Sequence, residues 1–331
     1  MPDLLALAWR NLWRNRKRSL LTASSIAAGL AALMFGQSFI RSFQRQMIDK
    51  STGAILGHLQ VQARGVQDHK IPDVLLRAPE RFVRLLSGDP RVAAAGARLL
   101  FTGLVYSAGG SRGVLVCGVE PERERALSII PGYLSEGRYL EGPRDIVLGA
   151  KLAAELDARL GERLVVMAQR PGGEMGSELF RLAGILRTNS STYDRDVAYI
   201  PLSAAQSVRG RPDQASHVAV RLTDPFLADA VRAAHAGELG DPGVELLTYE
   251  EVGSEIVGIK RFQDGVLAVV MAILFTIIGL GILNTLSMSF YERIREFGVL
   301  RAVGARPSRV AALMLLEAGF LGLVGTVVGL A

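Results

Sequence analysis

Hydrophobic and polar positions divide this chain into three long apolar runs and one long mixed region. Leu20 to Ile40 is uncharged and has roughly the 20 residues that an α-helix needs to cross a hydrocarbon core about 30 Å thick. Gly265 to Tyr291 forms a second uncharged run, and a third begins near Val310 and stays apolar, apart from Glu317, up to the last residue. We therefore expect membrane spans at 20–40, 265–291 and 310–331, separated by segments at 1–19, 41–264 and 292–309. The third run has no polar exit, so the sequence is expected to stop within a span.

Before the first run, Leu5, Trp9, Leu12 and Trp13 recur at helical spacing, and Arg10, Arg14, Arg16, Lys17 and Arg18 take the other face or the membrane-proximal end. That pattern suits an amphipathic helix in the headgroup region. A disordered basic tail would not need two tryptophans. Within the first run, Ser24, Ala27, Ala28, Ala31 and Ala32 supply small side chains at three- and four-residue spacing, which let a second helix approach closely. Phe39, Phe43 and Met47 keep the helical period beyond the run, and Val252, Ile256 and Ile259 do the same on the way back. Both spans should extend as helical stalks, and the stalks should pair.

The region between the stalks is long enough for a core of its own. "GHLQVQARG", "PERFVRLLSG" and "ARLLFTGLVY" read as strand, helix and strand, and "HVAVRLT", "PFLADAVRAAHAG" and "GVELLTY" repeat the pattern near the other end. Such units favour an α/β layer. Between them lie "GVLVCGVE", "DIVLG", "RLVVMAQ", "ELFRLAGIL" and "VAYI", interrupted by one short helix, "AKLAAELDA". The expected fold class is therefore an α-helical transmembrane protein with a large extracytoplasmic α+β domain on two stalks. An α/β subdomain made from both ends of the domain should carry a β-rich subdomain inserted in its middle.

A mean hydropathy of +0.27, with 49% hydrophobic residues, agrees with membrane insertion. The net charge of +6 raises nucleic-acid binding as a possibility, but its distribution argues against it. Residues 41–264 carry 28 basic and 28 acidic residues, so the excess lies in 1–19 and 292–309, five basic residues in each against one and two acidic ones. Basic clusters beside span ends mark the cytoplasmic side, which puts the middle region outside the cytoplasmic membrane. The apolar run after the basic start is longer than a signal-peptide core, with no small-x-small cleavage site before Arg41, and so reads as an uncleaved anchor. Cys117 is the only cysteine, so no intrachain disulfide forms.

Catalytic chemistry is not evident. The sequence lacks a GxxxxGK[ST] phosphate loop, GxSxG and HExxH, so no catalytic, cofactor or metal residues are expected on this chain. His58, His69, His217 and His235 are scattered. His58 and His217 fall in expected strands, where packing is the commoner role, and His235 with Glu238 ends a helix as a C-terminal cap.

The most informative stretch is "NTLSMSFYERIREFGVLRAVGARPSRV", from Asn284 to Val310. A charged helix follows the second span, with Ile294, Phe297, Leu300 and Val303 recurring every third residue as an apolar edge. Gly304 stands where a left-handed helix cap needs no Cβ, and Pro307 is placed to open the next helix. An ordinary loop with arginine anchors would not need the apolar edge. Asn284 and Glu317 are polar positions inside the apolar runs.

"ERIREFGVLRAVGA" resembles the cytoplasmic coupling-helix signature of the MacB/FtsX/LolC-LolE permeases of ABC transporters, in which E-R-x-x-E-[IF]-G-x-[LM]-[RK]-A-[IVL]-G-A follows the second span. Glu292, Arg293, Glu296, Gly298, Arg301, Ala302, Gly304 and Ala305 match in turn. "LLEAGFLGLVGTVVG" is similar to the third span of that family. "GRYL", "DIVLGAKLAAELDARLGERLVV" and "YIPLSAAQ" are similar to its extracytoplasmic domain, a porter subdomain with a β-rich insert. The resemblance implies an inner-membrane permease whose coupling helix, Glu292, Arg293, Ile294, Glu296, Phe297, Gly298, Leu300, Arg301 and Gly304, docks on a separate cytoplasmic ATPase carrying ATP and Mg. It implies a second permease copy or paralogue, and lipoproteins or a periplasmic chaperone as further partners. MacB itself carries its ATPase domain on the same chain before the first span, whereas this sequence opens as the LolC/LolE permeases do. The family has four spans, and the expectation is that this sequence stops within the third. A non-transport regulator like FtsX has a much smaller extracytoplasmic region; a membrane-anchored sensor would need no ATPase.

Overall fold

The computed structural model describes the chain except for residues 1–4, 6–8, 11, 12, 14, 15, 67–73, 189, 293, 305 and 331. Inside helices, the side chains of 17–19, 21, 22, 47, 49–51, 254–257, 259–261, 263, 278, 282, 285, 286, 289, 296, 297, 300, 310, 314, 317, 321, 329 and 330 are also outside the described residues. There are two compact units, Arg45–Gly258 and a second composed of Met1–Gln44 with Ile259–Ala331.

Three long helices build the second unit. Arg16–Thr52 is continuous over 37 residues and Ser254–Glu292 over 39, and Pro307–Leu330 has 24. At about 1.5 Å per residue the first two reach about 55 and 58 Å, well beyond a hydrocarbon core of about 30 Å, so each can cross a membrane and continue as a stalk. Stretches long and apolar enough to cross are Ala23–Gln46, Asp264–Gly281 and Pro307–Val328. The first runs further toward the stalk than the expected 20–40, past Arg41 and Arg45. Phe35 and Phe275 are 74% and 70% exposed, which suits hydrocarbon surroundings far better than water. Thr276 and Thr326 return their hydroxyl hydrogens to the carbonyls of Ala272 and Gly322, each at 2.8 Å, as polar side chains in an apolar helix must.

The first helix meets the third, but through Ala23, Ile26 and Ala27; of the expected small-residue stripe only Ala27 is buried, and Ser24, Ala28, Ala31 and Ala32 are exposed. A Cβ on Gly325 would lie 2.7 Å from the Ile26 Cβ and 3.1 Å from the Ala23 carbonyl, and Ala23 and Ala27 are buried. The Trp9 ring stands edge-on to Phe320 with 5.6 Å between centroids.

Among the described residues the other unit is built on twelve strands: β1 Leu59–Ala63, β2 Leu76–Arg77, β3 Val92–Tyr106, β4 Ser111–Val119, β5 Leu134–Gly137, β6 Asp145–Gly149, β7 Arg163–Gln169, β8 Met175–Leu186, β9 Val197–Pro201, β10 Gln214–Ala215, β11 His217–Leu222 and β12 Val244–Thr248. At one end of the main sheet β12, β1, β11 and the first half of β3 lie side by side and antiparallel. Helices Pro79–Ser87 and Ala228–His235 connect them in a βαββαβ order. Phe82, Val83 and Leu86 press the first of these helices into the core. "LQVQA" alternates in sequence, yet all five residues of β1 are buried. Its polar face is satisfied internally: Gln60 donates to the Leu56 carbonyl at 2.7 Å and Gln62 to Glu245 at 3.3 Å.

The insert is a closed barrel. β3 pairs β4, β4 pairs β9, β9 pairs β6, β6 pairs β8, β8 pairs β7, and β7 returns to β3. Closure removes free strand edges, and a barrel this small is filled by side chains, here Phe101, Val116, Ile146, Val166, Phe180 and Leu182 among others. Helix Leu202–Arg209 packs on the barrel; a Cβ on Gly118 would sit 2.2 Å from that of Ala205. Outside the barrel wall, Leu100, Cys117, Val147 and Tyr199 form a second core under Ile130, Tyr139 and Leu140. The sequence predicts two subdomains. The ladder instead runs unbroken through both, because the 15-residue β3 belongs to the α/β sheet with its first half and to the barrel with its second.

Candidate functional site

The residues singled out for the coupling segment occupy a helix–turn–helix after the second long helix. Glu292 is the last residue of Ser254–Glu292 and is exposed; Arg293 lies outside the described residues. Helix Ile294–Ala302 follows, with Arg301 in its last turn. Gly304 takes φ +99°, the left-handed conformation that ends a helix where no Cβ interferes. The turn closes through the Val303 amide to the Val299 carbonyl and the Gly304 amide to that of Arg301, both at 3.0 Å. Pro307 then opens the third long helix.

Ile294 is 51% exposed and Val299 64%. The side chains of Glu296, Phe297, Leu300 and Glu317 lie outside the described residues. Among the described residues, Gly298 has nothing within 4 Å of where a Cβ would be, so none of them demands glycine there. The expected edge through Val303 needs correction. Helical residues advance by about 100°, so every third residue falls back by about 60°. Val303, nine positions after Ile294, comes out on the opposite side, past the helix end at Ala302 and 84% exposed. Only Ile294, Phe297 and Leu300 can share one face. Asn284 is exposed on the second long helix.

The soluble unit holds a polar cluster that sequence reasoning missed. Arg98 on β3 and Glu124 on helix Pro121–Leu127 are both 2% exposed at the side chain and form a two-pronged ion pair, with Nη2 to Oε1 at 2.7 Å and Nε to Oε2 at 3.1 Å. Burial works against the Arg98 charge, but Glu124 outweighs it and the pKa is raised. Burial, and then the Arg98 charge, push His217 down to about 3, so it is neutral. The Cys117 thiol is pushed up to about 12 by burial. The one signal in the sequence was an arginine inside the apolar stretch "ARLLF". His235 ends helix Ala228–His235 as expected, and its ring bridges Glu238 at 2.7 Å and Asp89, which the sequence did not pair with it, at 2.9 Å. His58 precedes β1 and accepts the Leu222 amide at 3.0 Å through Nδ1.

Comparison with known proteins gives two family matches: the MacB-like periplasmic core domain over residues 19–237 and the FtsX-like permease C-terminal region over 268–331. The chain is 22% identical over 321 residues to the lipoprotein-releasing system transmembrane protein LolC of Neisseria meningitidis serogroup B, covering 94% of this chain and 75% of that protein. It is 24% identical over 342 residues to LolE of Haemophilus influenzae, covering 98% and 80%. To the macrolide export ATP-binding/permease protein MacB of Agrobacterium fabrum it is 24% identical over 345 residues, covering 100% of this chain and 52% of that one. With the first match spanning the greater part of the chain and the second its apolar C-terminal helices, this chain belongs to the ABC transporter permeases that join a MacB-like periplasmic core domain to FtsX-like membrane helices.

Proposed function

We propose that this permease lies in the cytoplasmic membrane of a bacterium with residues 41–264 outside, and that it couples ATP hydrolysis on a separate cytoplasmic ATPase to movement of its extracytoplasmic domain. The observation that carries the reading is the continuity of the long helices. A helix from Arg16 to Thr52 and another from Ser254 to Glu292 each run without a break from an apolar stretch into the stalk beyond it, so displacement at the membrane is passed along them. Helix Ile294–Ala302, with Glu292, Arg293, Arg301 and Gly304 around it, is the contact for the ATPase, an amphipathic helix laid into a groove. A second copy or paralogue completes the transporter. Likeness to LolC and LolE favours release of lipid-anchored proteins from the outer surface of the membrane, with export of a peptide or lipid-linked substrate as the broader class.

The test is to purify the permease with the ATPase encoded beside it and to compare Phe297→Ala and Gly298→Leu with the parent. Burying a phenylalanine side chain contributes about 1.5–3 kcal/mol, so Phe297→Ala should weaken the complex about tenfold or more. Normal assembly and normal coupled hydrolysis in both variants would reduce this helix to a loop between spans.

A further inference from the structure

The first long helix runs into a turn, Gly53 to Leu56, that is tied down through its carbonyls. Thr52 is the last residue of the helix, and its carbonyl and those of the four turn residues after it, Gly53 to Leu56, each accept a hydrogen bond. Gly57 N–H donates to Thr52 at 2.8 Å, Ile129 N–H to Gly53 at 3.0 Å, the Ser128 hydroxyl to Ala54 at 3.4 Å, Arg98 Nη1 to Ile55, and Gln60 to Leu56 at 2.7 Å. Three of these contacts lead to one short segment. Ser128 and Ile129 follow helix Pro121–Leu127 directly, and Arg98 reaches that helix through Glu124.

The same helix has a second role in the fold. Glu120, Pro121, Glu122 and Arg125 form one side of a groove of about 620 Å³, and Leu202, Ser203 and Gln206 form another. The groove opens beyond the carboxyl ends of β4 and β9, which run parallel. The chain leaves β4 into Pro121–Leu127, against Gly96 of β3, and leaves β9 into Leu202–Arg209, against Gly118 of β4. Gly96 and Gly118 lie on opposite faces of the sheet by strand alternation. Helices departing to opposite faces from neighbouring parallel strands leave a crevice at that point.

We propose that the Arg98–Glu124 pair is a mechanical joint that fixes the root of the first long helix to helix Pro121–Leu127, so that stalk displacement changes the width of the groove beside that helix. The inference rests on the coupling function proposed above. Arg98 is a positioning residue. Its guanidinium is a fixed fork that meets a carboxylate and a carbonyl together, a geometry a lysine ammonium does not reproduce.

The experiment measures spin-label distances in the complete permease with its ATPase, with and without trapped nucleotide. One pair, Glu122→Cys with Ser203→Cys, spans the groove; the other, Ser42→Cys with Phe262→Cys, reports on the stalks. Buried Cys117 leaves the added thiols as the labelled ones. In the parent, both distances should shift on nucleotide trapping. In Arg98→Met/Glu124→Leu, which replaces the buried pair with apolar side chains of similar volume, the stalk shift should persist and the groove shift should disappear, with unchanged thermal unfolding. Arg98→Lys, which keeps the charge, should lose at least half of the groove shift and serves if the double variant does not fold. A full groove shift in a folded variant lacking the joint, or a parent groove that stays fixed while its stalks move, would overturn the inference. Stalks that do not respond to nucleotide in the parent would instead overturn the coupling function.

Discussion

Gln44 and Asp264 stand 220 residues apart in the sequence, yet the Gln44 amide donates to Asp264 Oδ1 at 2.9 Å. The contact ties the two long helices together where both approach the soluble unit along the chain. Stalk pairing, expected because Phe39, Phe43 and Met47 on one side and Val252, Ile256 and Ile259 on the other keep helical spacing, is realised by this polar pair. The bond is exposed and so contributes little, about 1 kcal/mol or less. Gln44→Ala should hardly change thermal stability. A Gln44→Cys/Asp264→Cys variant should be joined within one chain by a short bis-maleimide, read as two fragments that stay covalently linked after proteolysis between the helices. Cys117 is 1% exposed with its thiol pushed up to about 12 and will not compete. Cross-links between chains only would show that the pairing belongs to the assembly.

Gly325 offers a controlled test of helix packing. Its missing Cβ lets the third helix approach Ile26 and Ala23, whereas Gly319, six residues earlier, has nothing within 4 Å among the described residues. Gly325→Leu should lower stability in detergent by about 1–3 kcal/mol, the usual cost of overpacking. Gly319→Leu should leave it unchanged or raise it slightly, since glycine is a poor helix former. Equal effects at both positions would contradict this packing.

Much of this arrangement was legible because it depends on local periodicity. The three apolar runs, the left-handed Gly304 and the helix opening at Pro307 each follow from a few neighbouring residues, as do the two strand–helix–strand units. The barrel was not legible. Its closure depends on β7 returning to β3, a pairing between Leu104 and Met167 that no local pattern encodes. Nor did the alternation in "LQVQA" reveal that the glutamines are buried. The Arg98–Glu124 pair escaped for the same reason: an arginine in a strand reads as a solvent-facing residue until helix Pro121–Leu127 is laid over it. At the coupling segment, a three-residue spacing was read as an edge although an α-helix turns every 3.6 residues.

Two histidines should give the soluble unit opposite pH dependences. His217 is neutral in the fold, lowered to about 3 by burial and then by Arg98, beside the Ile55 carbonyl. Between its unfolded value of about 6.5 and about 3, the unfolded chain binds the proton and the folded one does not, so stability falls as pH drops through that window. For His235, burial opposes the charge, but Asp89 and Glu238 outweigh it and the pKa is raised; Arg91 faces the same Asp89 carboxylate. Its contribution is full below about 6.5 and is lost as pH rises through the folded value. Thermal unfolding of the parent should therefore weaken on both sides. His235→Gln should flatten the alkaline side alone, and His217→Gln the acid side. A His235→Gln profile that parallels the parent above neutrality would show that folding does not favour the protonated form of His235.

The orientation of the chain can be tested with single thiols, though not with the native one. The balanced charge of residues 41–264 and the basic clusters flanking them put the soluble unit outside the cytoplasmic membrane by the positive-inside rule. Cys117 cannot report this in the folded protein, because it packs on the barrel wall with Leu100, Val147 and Tyr199 and its thiolate is suppressed. Ser87, at the exposed end of helix Pro79–Ser87, and Ser308, exposed at the start of the third long helix, are suitable positions. In cells whose outer membrane alone is permeabilised, an impermeant maleimide should label Ser87→Cys fully within minutes and leave Ser308→Cys unlabelled until the inner membrane is lysed. Cys117 in the parent should remain unlabelled in both conditions until denaturant is added. The reverse pattern, with Ser308→Cys reactive first, would invert the topology and place the coupling helix out of reach of any cytoplasmic ATPase.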